Sequence, residues 1–314
     1  MVSVITINYN LSSETISCVE SVLRSEYQHF KIFLIDNGSL KDDYQRLLNT
    51  FSDNSKVEVY RLETNRGYVG GVNYGLEIAA REDTDYFLVM NNDTVIDKKA
   101  VSILVDAAKR FNDNAIVSGK VYYYDQPDVI QHTGVIFTDK RYLTTYYPGR
   151  NEKDIGQCDS EEERDSLDDV FWLIPRKVFQ STGYYSNYFF LYAEQGDYAW
   201  RARKNGFKLI YTPAATLWHK ESMTVGRGNP KSKAIYYWRG QGIFIHQYLH
   251  LEKKYFFILM IKSFLKYITK STFSEKETRQ TTFALLRGYF YGFKWMFNNK
   301  PNNGFNPYIK KRIR

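Results

Sequence analysis

The sequence has little cysteine and no apolar run long enough to cross a bilayer. Its two cysteines, Cys18 and Cys158, are too few for a disulfide framework and have no zinc-site spacing, so we expect a reducing compartment. The N-terminus enters a strand pattern directly, with no basic n-region or apolar h-region, and this predicts no signal peptide. Lys262 interrupts the apolar stretch YFFILMI, whereas a membrane span needs about 20 residues.

The last part of the chain also has few acidic residues. Residues 227–314 hold 18 Lys and Arg against 3 Asp and Glu, whereas residues 1–226 hold 25 against 32. Lys262, Lys266 and Lys270 repeat at helical spacing on an apolar segment, which is typical of a helix at an anionic membrane surface or against another copy of the chain. This basic charge lies in the tail and not across the predicted sheet, so we expect no nucleic-acid binding.

The first hundred or so residues alternate between strand and helix patterns. This alternation predicts an α/β fold of βαβ units around a parallel sheet. The predicted strands are VSVITINYN, KIFLIDNGS, KVEVYRLE and DYFLVMNND, and the helices between and after them are SETISCVESVLRS, DDYQRLLNTF, GGVNYGLEIAARE and KKAVSILVDAAKRF. We expect irregular β structure over 117–150, a mobile acidic loop over 151–169, and basic aromatic helices from about 230.

Three of the predicted strands end in polar residues. These ends are Asn8-Tyr9-Asn10, Asp36-Asn37-Gly38-Ser39 and Asn91-Asn92-Asp93. One such end is usually a turn, because Asn, Asp and Gly favour turns. Ligand sites of parallel sheets lie at the carboxyl ends of the strands, so three polar ends favour a shared site.

A glycine-rich segment, NRGYVGGVNYG at 65–75, lies between the third strand and its helix. Glycines let a backbone approach a ligand closely, and a helix N-terminus favours phosphate. The segment is neither a Walker A loop nor a dinucleotide fingerprint. Near it, Asp93 could hold Mg²⁺ or Mn²⁺, or could simply form an Asx-turn or helix cap before Thr94.

Together, VITINYN, LIDNGS, NRGYVGGVNYG, VMNNDT and FFLYAEQGDYAWRARKNGFKLIYTP resemble glycosyltransferase family 2, and most closely its bacterial rhamnosyltransferase-like branch. The resemblance implies a GT-A domain over 1–225, with 226–314 as a basic aromatic helical extension. It implies an inverting transfer from a nucleotide-diphosphate sugar, with Mn²⁺ or Mg²⁺ as cofactor. UDP- or dTDP-sugars are the expected donors, and the expected acceptors are glycan, lipid-linked or glycoprotein hydroxyls.

The resemblance also implies roles for individual residues. Ile7 and Tyr9 would line the base pocket, and Asp36 would bind the base or ribose. Asp93 would ligate the metal, and His219 would complete that metal site, although His219 could instead be a structural histidine beside Trp218. The remaining donor-binding residues that the resemblance implies are Asn65, Gly71, Asn73, Asn91 and Asn92.

The sequence departs from the family pattern at the catalytic base. The stretch is Glu194-Gln195-Gly196-Asp197, so an amide occupies the position where relatives commonly have the acid that takes the acceptor proton. Either Glu194 or Asp197 serves instead, with Glu194 the first choice, or the protein has little transferase activity. The same acids could simply favour a helix N-terminus through the macrodipole.

Two function classes follow from these patterns. The first is a metal-dependent inverting glycosyltransferase that is cytoplasmic, peripheral on the inner face of the membrane, and able to form homo-oligomers. The second is a catalytically impaired nucleotide-sugar-binding or scaffolding protein, which Gln195 suggests. Turnover of a sugar nucleotide separates the two.

Overall fold

The computed structural model describes residues 1–139 and 144–220, and isolated later positions. These positions are 240, 258, 261, 262, 265, 283, 284, 286–292 and 294. The chain divides into two compact units: residues 1–185 with 198–224, and residues 186–197 with 225–314. The domain boundary predicted at 225/226 stays a prediction.

Strands and helices alternate in the first part of the chain, and mostly strands follow. All of them belong to the first unit except the start of α6, because residues 186–197 belong to the second unit. Strands β1 to β5 are Val2–Asn8, Phe30–Asp36, Val57–Arg61, Tyr86–Met90 and Thr94–Ile96, and helices α1 to α4 are Ser12–Leu23, Lys41–Phe51, Gly67–Ala79 and Ala100–Arg110. Strands β6 to β12 are Ala115–Tyr123, Ile130–His132, Ile136–Asp139, Thr144–Tyr146, Glu162–Glu163, Phe171–Pro175 and Lys208–His219. Helices α5 and α6 are Arg176–Thr182 and Glu194–Lys204.

The main sheet is mixed, and its strand order is β10-β12-β6-β11-β4-β1-β2-β3. Strands β4, β1, β2 and β3 are parallel. Strand β11 is antiparallel to both β4 and β6, while β12 is parallel to β6 and also pairs with β5. The α/β fold predicted from the sequence is therefore confirmed, and the parallel sheet predicted from the βαβ units is extended by antiparallel pairing of β11.

Side chains of β1 alternate between two helical layers, as the period of a strand requires. Val2 and Val4 belong to a buried core with residues of α1, α2 and α4. Ile5 and Ile7 face α3, where Gly75 and Gly71 allow the helix to approach the sheet closely. The two-sided burial explains why these strands are continuous apolar runs.

The segment 151–169, predicted as a mobile loop, is largely irregular, and several of its residues make tertiary contacts. Lys120 is almost fully buried, and its Nζ contacts the carboxylates of Asp154 at 2.7 Å and Asp159 at 2.5 Å. Further along, β10 pairs with β12, and the buried Arg164 donates its backbone N–H to the Leu209 oxygen at 2.9 Å. Composition alone could not reveal these tertiary contacts.

None of the helices in the described part of the chain combines the length and the apolarity that a membrane span requires. Most of the basic segment 255–270 lies outside the described residues. Of its lysines, Lys262 is described, and it is helical and exposed.

Candidate functional site

The strand ends Asn8, Asp36 and Met90 meet at one edge of the sheet, which we call the carboxyl rim. Asn8 pairs with Asp36 in register, as the last residues of β1 and β2. The polar residues predicted to share a site therefore do lie on one edge. They separate there into two clusters of different chemistry.

The first, the amide cluster, consists of Asn8, Thr15, Asp36, Ser39, Asp43 and Asn92. Its centre is the buried Asn8, whose Nδ2 lies 2.9 Å from Asp36 Oδ1, 3.0 Å from Ser39 Oγ and 2.8 Å from Asp43 Oδ2. Ser39 also donates its backbone N–H to Asp36 Oδ2 at 3.2 Å. Asp36 is 0% exposed, so its carboxylate joins two strand ends in this structure.

The amide cluster continues into the Asn-Asn-Asp turn. Asn92 donates from Nδ2 to Thr15 Oγ1 at 2.8 Å, and Thr15 donates to Asn8 Oδ1, also at 2.8 Å. This series of hydrogen bonds ties the end of β4, α1 and β1 together. Asn92 is buried, and its amide holds the turn that carries Asp93.

The glycine-rich segment is anchored by amides of its own. Asn65 Oδ1 accepts the Gly67 N–H at 2.8 Å, which fixes the first turn of α3. Asn73 exchanges two hydrogen bonds with the backbone of Tyr185, donating at 2.8 Å and accepting at 2.9 Å. A Cβ at Gly71 would lie 2.8 Å from Ile7 Cγ2, so this glycine is needed for helix–strand packing. The donor contacts predicted for these residues stay predictions.

Tyr9 and Asn91 are partly exposed at the rim. Asn91 donates its backbone N–H to the backbone oxygen of Val170 at 2.9 Å, and the backbone oxygen of Asn91 accepts a hydrogen bond from Thr94 Oγ1 at 2.7 Å. These bonds fix the backbone where β4 ends. The side chains of Tyr9 and Asn91 can therefore meet a ligand without unfolding the rim.

The second group, the histidine cluster, consists of Asp93, Gln131, His132, Asp168 and His219. Asp93 and His219 are both buried, and His219 Nε2 lies 3.2 Å from Asp93 Oδ1. Strand pairing imposes this contact, because His219 pairs with Thr94 and Lys220 donates its N–H to the Asp93 oxygen at 2.9 Å. The two residues predicted to share a metal therefore lie side by side.

The other ring nitrogen of His219 is also fixed. His219 Nδ1 lies 2.6 Å from Gln131 Oε1, a side chain that can only accept at that atom. Nε2 is the ring nitrogen that faces the Asp93 carboxylate. When Nε2 is unprotonated, two acceptor atoms face each other, an arrangement that a cation between them stabilises.

The spacing and the chemistry of Asp93 and His219 fit a divalent metal ion. Two atoms that ligate one ion side by side, each at about 2.1 Å, lie about 3 Å apart. The Oδ1–Nε2 separation of 3.2 Å is close to that value. Among residues 1–139, 144–220 and the isolated later positions, no group of three or more His, Cys, Asp or Glu side chains could hold a metal. Other ligands would have to come from phosphate oxygens and water.

A second Asp–His pair lies beside the first, and the sequence patterns missed it. His132 Nδ1 lies 2.9 Å from Asp168 Oδ2, and both side chains are partly exposed. The charges of His132, Arg150 and His219 hold the pKa of Asp168 below its ordinary value, although burial opposes the shift. Burial and the Asp168 charge raise the pKa of the neighbouring Asp169 to about 7.

Asp168 was missed because its strand runs the other way. Strand β11 is antiparallel to β4, so its amino end meets the carboxyl rim. Residues that precede an antiparallel strand, such as Asp168 before β11, can lie at the same rim as residues that follow the parallel strands. The signal that could have found them is the pair Asp168-Asp169 directly before the apolar run VFWLIP.

Glu194 and Asp197, the candidate bases, occupy the first turn of α6, and both are buried. They belong to the second unit. The two residues before Glu194, Tyr192 and Ala193, both have a φ of 69°. Residues other than glycine rarely adopt this left-handed backbone conformation. Strain of this kind is concentrated at functional sites, so it marks this turn for experiment.

The family comparison agrees with this arrangement of fold and rim. Residues 3–182 match the description Glycosyl transferase family 2, which covers more than half of the chain. The chain belongs to glycosyl transferase family 2. The family predicted from the five motifs is therefore confirmed, while the rhamnosyltransferase-like branch is not.

Two curated relatives are distant, and the matches cover less than half of each. Glycosyltransferase GlyG of Streptococcus pneumoniae is 27% identical over 129 residues, which cover 41% of this chain and 41% of that protein. Poly-beta-1,6-N-acetyl-D-glucosamine synthase of Staphylococcus epidermidis is 24% identical over 218 residues, which cover 69% of this chain and 49% of that protein. The chain thus spans less than half the length of these two relatives.

Solved structures agree on the fold. GalNAc-T7, crystallised with UDP, GalNAc and Mn²⁺, aligns with a TM-score of 0.63 at 15% identity and covers 95% of this chain and 57% of its own. S. aureus TarS aligns with a TM-score of 0.52 at 14% identity and covers 80% of this chain and 40% of its own. The fold is GT-A, as predicted.

Proposed function

We propose that this chain is an inverting, metal-dependent glycosyltransferase. It moves a sugar from a nucleotide-diphosphate donor, UDP- or dTDP-linked, to a hydroxyl of a cell-surface glycan, lipid-linked or glycoprotein acceptor. The curated synthase of Staphylococcus epidermidis and GlyG support a transfer between sugars. The rhamnosyltransferase-like motifs favour a cell-surface glycan as the product.

One observation carries the proposal: the Asp93–His219 pair at the carboxyl rim of a family 2 fold. A bound Mn²⁺ or Mg²⁺ would neutralise the negative charge that develops on the leaving diphosphate. Magnesium prefers oxygen ligands, whereas an imidazole ligand suits a transition metal, so His219 favours Mn²⁺.

Other residues of the carboxyl rim would position the metal ligands and the donor. Gln131 fixes the ring of His219, and Asn92 fixes the turn that carries Asp93. Tyr9 would face the base and Asn91 would face the ribose, whereas the buried Ile7 packs against Gly71 of α3. The α3 N-terminus, whose first turn Asn65 fixes, would approach the donor through its backbone N–H groups, and Gly71 would let the helix lie close to β1.

A second candidate function rests on Gln195. An amide cannot take the proton of an acceptor hydroxyl, so a chain without another base would bind the donor and not transfer the sugar. The resemblance to the family offers Glu194 and Asp197, both in α6, as alternatives to that position.

The test is nucleotide release from a panel of UDP-, dTDP- and GDP-sugars with Mn²⁺, Mg²⁺ or EDTA. We expect release of one nucleotide that requires metal and falls by about 100-fold or more in Asp93→Ala. Asp97→Ala, which changes a carboxylate four residues along the chain, is the matched control and should stay near the wild-type rate.

Two results would contradict the transferase proposal. Metal-dependent nucleotide binding without release from any donor, with acceptor extracts present, would favour the second candidate. Absence of binding as well would exclude both functions.

The basic carboxyl-terminal segment supports a location at the inner face of the cell membrane. Ile258, Ile261 and Leu265 are exposed and helical at spacings that place them on one face, and Lys262 is exposed beside them. We expect co-sedimentation with anionic vesicles that is lost at high salt. A salt-independent dimer in solution would instead favour a homo-oligomer.

A further inference from the structure

Asp168, which contacts His132, lies shortly before β11 at the carboxyl rim. Asp168 is two residues before Val170, whose oxygen accepts the N–H of Asn91 at the end of β4. His132 follows Gln131, whose side chain contacts His219. The charge of His219 also reaches Asp168 and lowers its pKa. The pair therefore belongs to the same rim as the proposed metal ligands.

The contact orients the imidazole. His132 Nδ1 faces Asp168 Oδ2 at 2.9 Å, so Nε2 is the nitrogen left to accept a proton. The side chains of His132 and Asp168 are 15% and 22% exposed, although the contacting atoms Nδ1 and Oδ2 are themselves buried. A carboxylate on one ring nitrogen fixes the tautomer and stabilises the imidazolium that forms on the other.

The neighbouring charges keep Asp168 in the form that this role requires. Arg150, His132 and His219 all favour its carboxylate. On its other side, Asp169 is enclosed by the hydroxyl groups of Tyr68 and Tyr185. Asp169 is 8% exposed, so it is much less accessible than His132.

The proposed transfer needs a base that Gln195 cannot be. Resting on that proposed function, we propose that His132, oriented by Asp168, accepts the proton of the acceptor hydroxyl. The hydroxyl proton moves to His132 Nε2 as the oxygen bonds to the anomeric carbon. The sugar–phosphate bond breaks, and its electron pair leaves with the diphosphate. His132 is then a catalytic residue, and Asp168 positions it.

The test uses the full chain with the donor and metal that the nucleotide-release panel identifies. We expect His132→Gln and His132→Ala to lower kcat by about 100-fold or more, within the range for general-base catalysis. The Kd of the nucleotide with Mn²⁺ should change by less than about twofold, because neither variant alters Asp93 or His219. His29→Ala, an exposed histidine far along the chain, is the matched control.

Two further readouts separate catalysis from structure. Free imidazole should restore part of the rate of His132→Ala, which a purely structural role would not produce. Asp168→Asn should lower kcat by about 10-fold or more with KM unchanged, because it alters orientation and not binding.

Three results would overturn the inference. The first is a wild-type kcat in His132→Gln together with loss of activity in Glu194→Gln or Asp197→Asn. That result would place the base in α6, while the proposal that the chain is a transferase would stand. Another is a loss of kcat that imidazole does not restore, with nucleotide affinity falling in parallel. The third is a wild type that releases no nucleotide from any donor, which would overturn the proposed function as well.

Discussion

The amide cluster and the histidine cluster share one rim but differ in how their polar atoms are used. Around Asn8, each amide or carboxylate meets a complementary donor or acceptor of the chain itself. Around His219, the groups form two Asp–His pairs with N–O distances of 2.9 Å and 3.2 Å. The first arrangement holds strand ends together, whereas the second can exchange a proton for a metal or take a proton from a substrate.

Sequence alone made the strand ends of the two clusters look alike, since Asn8, Asp36 and Asp93 all lie in Asn- or Asp-containing stretches where apolar strands end. The difference comes from tertiary partners. Asp36 has Asn8 beside it because β1 and β2 are in register, and Asp93 has His219 beside it because β12 returns to pair with β5. Variants that distinguish a loss of folding stability from a loss of metal binding or catalysis therefore test the difference between the two clusters.

The largest effect on stability is expected for Asn8→Ala. The change leaves the buried Asp36 carboxylate without its side-chain donor, which should cost about 2–4 kcal/mol in the free energy of unfolding. Urea unfolding measures it, with the exposed Asn49→Ala as a control expected to stay within about 0.5 kcal/mol. A neutral Asn8→Ala would mean that the amide cluster is not structural.

A smaller effect is expected for Gly71→Ala. The new Cβ would lie 2.8 Å from Ile7 Cγ2, and overpacking of this kind costs about 1–3 kcal/mol. The gain in helix propensity offsets about 0.5–1 kcal/mol of that cost. In a double-mutant cycle with Ile7→Ala, the double variant should be more stable than the sum of the two single changes predicts. Additive costs would show that Ile7 is not the obstacle.

The smallest effect concerns pH. The pKa of Asp169 is raised from its ordinary 3.8, so folding favours its protonated form. Its contribution to stability is therefore complete below pH 3.8 and is lost as pH rises through about 7. Asp168, Tyr68 and Tyr185 are the titratable groups that face it.

The measurement is the unfolding midpoint of Asp169→Asn and wild type between pH 4 and pH 8. We expect Asp169→Asn to show less loss of stability with rising pH than the wild type, and the exposed Asp83→Asn to follow the wild type. Parallel curves for Asp169→Asn and wild type would contradict the raised pKa.

The amino-terminal half of the fold could be predicted from the sequence because its order is local. Each strand from β1 to β4 is a short apolar run followed within a few residues by an amphipathic helix, and the observed bounds follow that pattern. The carboxyl rim followed from the same rule.

The later half could not be predicted in this way, because its contacts join distant parts of the chain. Strand β6 at Ala115–Tyr123 pairs in parallel with β12 at Lys208–His219, across a segment whose composition suggested irregular structure. The pairing of His132 with Asp168 likewise depends on an antiparallel strand that only the fold reveals. Tertiary partners decided which predicted residues are structural.

The most direct test of the central claim is Mn²⁺ binding, followed by electron paramagnetic resonance with UDP and with dTDP. The account predicts one Mn²⁺ per chain with the preferred nucleotide, and at least about 100-fold weaker binding in Asp93→Asn and in His219→Gln. Asp97→Asn, which changes a carboxylate four residues along the chain from Asp93, should retain wild-type Mn²⁺ affinity. Wild-type Mn²⁺ affinity in both Asp93→Asn and His219→Gln would contradict the account.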